Sequence, residues 1–316
     1  MKVPNNMRLI AVVPAYKLDQ RILGLIADLQ KYVDQIIVID DNCPNRVGHI
    51  VQAQYSSPDV IVIFNEANLG VGGAVKNGYK LALQNGAEIV IKIDGDGQMD
   101  PAMIPKLIEP ILSDQADYTK GNRFYTLESL RSMPRNRVVG NSILSVFSKL
   151  STGYWNIFDP NNGYTAISRD ALQNLDLDQI SSSYFFESDM LFRLYCNRMV
   201  VRDVPISSIY GDEESNLSIS KVTFEFLFKH FRNAFKRYFY GYLLRDASVA
   251  TIELPLGSLL LFFGLFNSIR VWLDSSSTGI PNNPGTVMLS SLAILTGLQF
   301  ILAFINYDVS NVPRKN

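Results

Sequence analysis

Ile89–Val90–Ile91–Lys92–Ile93 runs directly into Asp94–Gly95–Asp96–Gly97–Gln98. An apolar, β-branched run stops at two carboxylates one residue apart, each followed by glycine. A short run bounded in this way predicts a buried strand rather than a helix. Two carboxylates at a strand mouth repel one another unless a cation lies between them. Mg²⁺ suits such a pair, because it takes one or two protein carboxylates and completes its shell with water and substrate phosphates. A solvated acidic turn is the competing reading, since Asp-Gly pairs are common in turns. The position at the end of a buried strand, with Gln98 adding a further oxygen, favours the metal.

Three more runs of the same kind lie upstream. Arg8–Leu9–Ile10–Ala11–Val12–Val13–Pro14 predicts a first strand closed by proline, which cannot donate to a ladder. Gln35–Ile39 predicts a second, ending in Asp40–Asp41, and Val60–Phe64 a third. Between the first two, Ile22, Leu25, Ile26 and Leu29 have helical spacing. Strands alternating with helices predict an α/β fold with a mainly parallel sheet. Ligands of such sheets collect outside the carboxyl ends of the strands. Pro14–Tyr16, Asp40–Asp41 and Asp94–Asp96 are therefore expected at one edge. Asn68–Leu69–Gly70–Val71–Gly72–Gly73 opens the helix that follows the third strand, with Lys76 one turn in. Free N–H groups at such a turn suit phosphate. It is neither a dinucleotide fingerprint, because Val75 replaces the third glycine, nor a Walker loop.

The chain has 316 residues, with 29 Lys and Arg against 30 Asp and Glu. A net charge of −1 gives no global pull towards nucleic acid, so none is expected as a partner. Cys43 and Cys196 are the only cysteines and His49 and His230 the only histidines, which excludes a disulfide framework and a His/Cys zinc site. The N-terminus lacks an apolar h-region, so no cleaved signal peptide is expected.

Val12–Val13–Pro14–Ala15–Tyr16, Val38–Ile39–Asp40–Asp41, the Asn68–Gly78 turn and Asp94–Gly95–Asp96–x–Gln98 together resemble family 2 glycosyltransferases. The resemblance is strongest to the polyprenyl-phosphate branch, typified by dolichyl-phosphate mannosyltransferases and bactoprenol glucosyltransferases, and covers roughly residues 8–215. It implies a GT-A fold and a nucleotide-sugar donor. It also implies a divalent cation, Mg²⁺ or Mn²⁺, held by Asp94, Asp96 and Gln98, and a uridine held by Pro14, Tyr16 and Asp41. Gly70, Gly72, Lys76, Asp94 and Gly95 complete the expected donor site. Many relatives read Pro-x-Tyr-Asn-Glu where this chain has Tyr16–Lys17–Leu18–Asp19. The segment Ala116–Phe124 resembles the family's Gly-Ser-Arg segment, and Asp159–Tyr164 its acceptor-site segment.

Lys120, Arg123 and Arg137 are expected to take the acceptor phosphate, for which guanidinium geometry is well suited. Arg131 and Arg135 read equally well as a solvated basic loop. Asp159 is the candidate acceptor-orienting or proton-accepting carboxylate, beside Asp96 on the metal. Glu187 and Asp189 add carboxylates at a helix start, where the helix dipole alone would favour them.

Leu254–Leu273 and Val287–Ile305 are apolar segments long enough to cross a hydrocarbon core of about 30 Å. Before them, Ile219–Leu244 mixes basic and aromatic residues at helical spacing, as in a helix lying in the headgroup plane. The expected organisation is a GT-A catalytic domain over 1–215, a juxtamembrane amphipathic segment over 216–246 and a membrane domain over 247–316. The connection 274–285 has no Lys or Arg, whereas both flanks are basic. This places the catalytic domain and both termini on the cytoplasmic side of the inner membrane. The expected activity is metal-dependent, inverting transfer of a hexose, glucose first, from a UDP-sugar to polyprenyl (undecaprenyl) phosphate at that face. A glycan-extending membrane transferase and a non-catalytic nucleotide-binding scaffold are the alternatives, and homo-oligomerisation is left open.

Overall fold

The computed structural model describes residues 7–125, 135–206 and 219–315, with the backbone alone described at 135–139, 141 and 219–224. Arg131 lies outside the described residues, and the side chains of Arg135 and Arg137 are not described. The chain divides into two compact units, one running up to Ala234 and rejoined by the residues from Pro313, the other Phe235–Val312.

The first unit is built on a seven-stranded sheet of order β3-β2-β1-β4-β6-β5-β7. Its strands are β1 (Leu9–Ala15), β2 (Gln35–Asp40), β3 (Val60–Phe64), β4 (Ile89–Lys92), β5 (Tyr118–Asn122), β6 (Thr165–Ser168) and β7 (Val201–Pro205). The four anticipated strands form one parallel half, with β1 between β2 and β4. β6 runs antiparallel to both β4 and β5, so the sheet is mixed but mostly parallel, as in a Rossmann-like GT-A fold. The helices of the parallel half are α1 (Arg21–Leu29), α2 (Val47–Gln54) and α3 (Val71–Gln84). In α1, the predicted stripe Ile22, Leu25, Ile26 and Leu29 is the buried face.

β1 extends one residue past Pro14, and the register explains how a proline is tolerated there. The Val12 carbonyl accepts the Ile93 N–H, so Pro14, two residues on, faces the same side. β4 has ended by then, its last pair being Val12 with Lys92. No ladder donor is therefore missed. The chain leaves β1 for β2 on one side, while the β3–α3–β4 crossover arrives on the other. The gap between the ends of β1 and β4 is thus the switch point at which open α/β sheets take ligands.

β4 is followed by α4 (Ile104–Leu112), and after β5 come α5 (Arg135–Thr152), β6, α6 (Arg169–Gln173) and α7 (Phe186–Cys196). α8 (Ile219–Arg237) follows β7, and its first-unit part packs inward through polar side chains. The Nδ1 atom of buried His230 lies 2.7 Å from the Ser151 hydroxyl. Asn233 donates to Asp189 at 2.9 Å, and Lys229 donates to the Ser183 hydroxyl at 3.0 Å.

Burial pushes His230 down to about 4. The folded state keeps the ring neutral where the unfolded chain would protonate it. This contribution is complete above the ordinary histidine pKa and is lost as pH falls from there towards 4. The stability difference between pH 7 and pH 5 is expected to shrink by about 2 kcal/mol in His230→Asn, measured by chemical unfolding in detergent.

The second unit contains α9 (Val249–Thr278) and α10 (Pro284–Ser310), both long and apolar enough to cross a membrane. They enclose the predicted segments 254–273 and 287–305. At Gly257 an added Cβ would lie 2.9 Å from the Gly297 carbonyl oxygen, the close backbone approach that small residues permit between such helices. The last turn of α8 is tied in by a bidentate pair, with Arg237 Nη1 and Nη2 at 2.6 and 2.8 Å from the Asp308 oxygens.

Candidate active site

A cavity of about 870 Å³ opens at the switch point, within the first unit. Pro14 and Tyr16 reach it from the end of β1, Asp41 from the end of β2, and Asp94, Gly95 and Asp96 from the end of β4. The three strand ends predicted to meet therefore do meet. Gly70 lines the same space through the turn that opens α3. Gln98 is not among the lining residues, and its main-chain N–H donates to Asp96 Oδ1 at 3.0 Å. Asp19 pairs with Arg21 at 2.8 Å in an exposed position.

Asp41 is a strut. Its carboxylate accepts the N–H groups of Leu69 and Gly70, each at 2.9 Å, and the Asn65 amide at 2.7 Å. The glycine turn is thereby hung from the end of β2. Its far side rests on the segment 180–183, and this explains its composition. Gly70 has φ +80°, and a Cβ there would lie 2.5 Å from the Ser182 carbonyl oxygen. One on Gly72 would lie 2.4 Å from the Ser181 carbonyl oxygen. Lys76 donates to the Ile180 carbonyl at 2.9 Å and the Ser182 hydroxyl at 2.7 Å, closing the same seam. Gly70 thus serves close packing as well as the cavity wall, whereas Gly72 and Lys76, both expected in the donor site, do not line the cavity and pack against the segment 180–183. Gly70→Ala combines an unfavourable φ with a backbone clash. It is expected to destabilise the first unit by roughly 1–3 kcal/mol of strain, as read by chemical unfolding in detergent.

The β4 run contributes a residue that sequence reading treated only as part of a strand. Lys92 is 1% exposed, and its ammonium sits 2.8 Å from Asp94 Oδ1 and 3.1 Å from Glu187 Oε1. Burial alone would lower its pKa, but the Asp94 and Glu187 carboxylates outweigh burial and raise it above the ordinary lysine value. Lys92 and Glu187 both line the cavity. Glu187 is thus more than a helix-start carboxylate. Gly163 presses on the same cluster, since a Cβ there would lie 2.3 Å from both Lys92 Nζ and Asp94 Oδ2. The periodicity of β4 gave no hint of this lysine, because a strand buried on both faces hides one polar member.

Asp94 and Asp96 suit a divalent ion of the Mg²⁺ kind. Among the described residues no cluster of three or more His, Cys, Asp or Glu side chains would cage a metal by itself. Two carboxylates facing a cavity are the set that leaves positions for substrate phosphate oxygens.

The expected acceptor residues form a second cluster, of which only Asn161 lines the cavity. Arg123 grips buried Asp159 through Nε to Oδ2 at 2.8 Å and Nη2 to Oδ1 at 3.1 Å. Lys120 is fully buried and donates to the Asn162 carbonyl. Burial pushes its pKa down to about 8, against the opposing pull of Glu187 and Asp159. Half-buried Asp203 completes the cluster, accepting from Asn122 and from the Phe158 N–H, each at 2.9 Å. Arg137 lies on α5, by its backbone alone.

Residues 10–176 match the family model described as glycosyl transferase family 2. The chain is 32% identical over 215 residues to a UDP-N-acetylglucosamine–dolichyl-phosphate N-acetylglucosaminyltransferase of Methanococcus voltae, covering 64% of this chain and 85% of the relative. It is 28% identical to an undecaprenyl-phosphate mannosyltransferase of Micrococcus luteus, covering 69% and 88%. Among solved structures, glucosyl-3-phosphoglycerate synthase from Mycobacterium tuberculosis, in complex with Mn²⁺, UDP and phosphoglyceric acid, superposes with a TM-score of 0.56 at 17% identity. That superposition covers 75% of this chain and 79% of the other.

Proposed function

Because the chain belongs to glycosyl transferase family 2 and is a glycosyltransferase, we propose that it transfers a hexose from a UDP-sugar to a polyprenyl phosphate at the cytoplasmic face of a membrane. The observation that carries this reading is the cavity at the switch point, lined by Asp94 and Asp96 together with Pro14, Tyr16 and Asp41. The two quoted relatives differ in the sugar they are named for but agree on a lipid phosphate. The two membrane-length helices fit an acceptor whose tail stays in a bilayer. Glucose is the first donor to test.

In this reading Pro14 and Tyr16 wall the nucleoside, and Asp41 holds the glycine turn against it. Asp94 and Asp96 would hold a divalent cation, with Gln98, expected as a third ligand, steadying Asp96 through its main-chain N–H. When bound, that ion supplies Lewis-acid stabilisation of the charge that develops on the departing diphosphate. Lys92 keeps the Asp94 carboxylate oriented whether or not the site is filled. The acceptor phosphate, already ionised near neutral pH, needs no strong base. Its oxygen forms the new bond to the anomeric carbon on the face opposite the breaking bond to UDP, which inverts that centre. Arg123 and Arg137 are the cations assigned to the acceptor phosphate, whereas Lys120, expected to join them, is fully buried and instead braces the acceptor-site segment through the Asn162 carbonyl. Asp159 then acts by orienting Arg123, since both its oxygens engage that guanidinium.

UDP release, followed with a polyprenyl phosphate and separately with free sugars as acceptors, tests this assignment. Turnover with the lipid phosphate alone supports it. Turnover with a free sugar or glycan alone would point to glycan extension, and no turnover with either to a scaffold.

A further inference from the structure

α5 has its polarity reversed. Its inward positions Ser145, Ser148 and Ser151 are small, polar and at most 3% exposed. Its outward positions are apolar, with Ile143 and Val146 each 53% exposed and Phe147 38%. A helix of a water-soluble domain carries the opposite arrangement. The serines allow close packing, and at Ser151 the helix meets His230 of α8. The apolar face therefore has no place in the core of its own unit.

We propose that this outward face of α5 is a lipid-contacting surface, seated in the headgroup and upper acyl region of an anionic bilayer. This rests on the membrane placement proposed above. Three observations select that occupant. α5 packs beside α8, whose Phe228 and Phe231 are 61% and 73% exposed and whose chain continues into the segment bearing both membrane-length helices. The charge matches, because α5 contains Arg135, Arg137 and Lys149 and no acidic residue. Lys149 also lies 5.5 Å over the ring of part-exposed Phe158, an amphipathic pairing suited to a polar–apolar boundary. α5 and α8 then form a two-helix footing. Leu144 and Phe226, one from each helix, line the cavity, so the footing brings the cavity wall to the lipid surface.

The test uses the full chain in nanodiscs containing phosphatidylglycerol, with Cys43 and Cys196 replaced by serine. Single cysteines are placed by Val146→Cys, by Leu295→Cys on α10 and by Asp178→Cys at an exposed polar site, and each is labelled with an environment-sensitive fluorophore. Retained UDP binding verifies that each labelled protein is folded. At position 146, quenching by spin-labelled lipid is expected to reach about half of that at 295 or more, and at 178 to be absent. Quenching at 295 with none at 146 overturns this inference alone, whereas none at either position overturns the membrane placement with it. Quenching at 146 that appears only after polyprenyl phosphate is added would assign the face to the acceptor tail and overturn the bilayer assignment. A disulfide-linked dimer of Val146→Cys would assign it to a second copy, with the same consequence.

Discussion

Asp96→Asn is expected to reduce sugar transfer by about a thousandfold or more, the scale of removing several kcal/mol of charge stabilisation from a phosphate-leaving step. The fold should be retained, because Asp96 is only part-buried and lies in a turn beyond the end of β4. Thermal unfolding of the variant should track the parent within a few degrees. Nucleotide binding offers a second readout. The parent should bind UDP more tightly with Mg²⁺ or Mn²⁺ than in EDTA, and the variant should lose most of that difference. Full transfer by the variant in EDTA would remove the metal from the scheme.

Lys92→Met is expected to have the second-largest effect, on stability as well as activity. It leaves Asp94 and Glu187 facing each other around a space that an ammonium had filled. Removing one partner of a buried ion pair typically costs about 3–5 kcal/mol. The lower end applies here, because the Asp94 side chain keeps 32% exposure and can rehydrate. Glu187→Gln added to Lys92→Met should recover part of the loss by removing one of the two unpaired charges. If the double variant is no more stable than the single one, the lysine contributes by packing rather than by charge.

The parallel half of the sheet was legible because each strand lies in an apolar run, broken only by Lys92 in β4, that stops at polar residues. The same runs located the edge where Pro14, Asp41, Asp94 and Asp96 converge. β5, β6 and β7 gave no such signal. β5 is Tyr118–Thr119–Lys120–Gly121–Asn122, buried throughout yet largely polar, and β7 contains Arg202 and Asp203. Several of their polar groups find partners distant in sequence, such as Asn162 for Lys120 and Asn122 for Asp203 Oδ2. No local pattern can announce such pairings. The glycine turn was legible as a turn, but its contact with 180–183 was not, since that wall lies a hundred residues downstream. The first-unit part of α8 is tied in by His230 and Asn233, both polar, so an aromatic and basic pattern gave no sign of how much of the helix belongs with the catalytic sheet. A truncation that keeps the first-unit part of α8 should therefore end beyond Ala234 rather than near Ser215, and it gives up the residues from Pro313 that rejoin the unit.

The most direct measurement follows the sugar itself. The purified chain in nanodiscs with polyprenyl phosphate and Mg²⁺ is given UDP-glucose, UDP-N-acetylglucosamine or GDP-mannose, each labelled in the sugar, and the lipids are then extracted. Label is expected in the lipid fraction from UDP-glucose, as an acid-labile sugar phosphate of inverted anomeric configuration, and is expected to vanish in EDTA and in Asp96→Asn. Label in the lipid from GDP-mannose alone, or from UDP-glucose undiminished in EDTA, would contradict the proposed donor or the proposed role of Asp94 and Asp96.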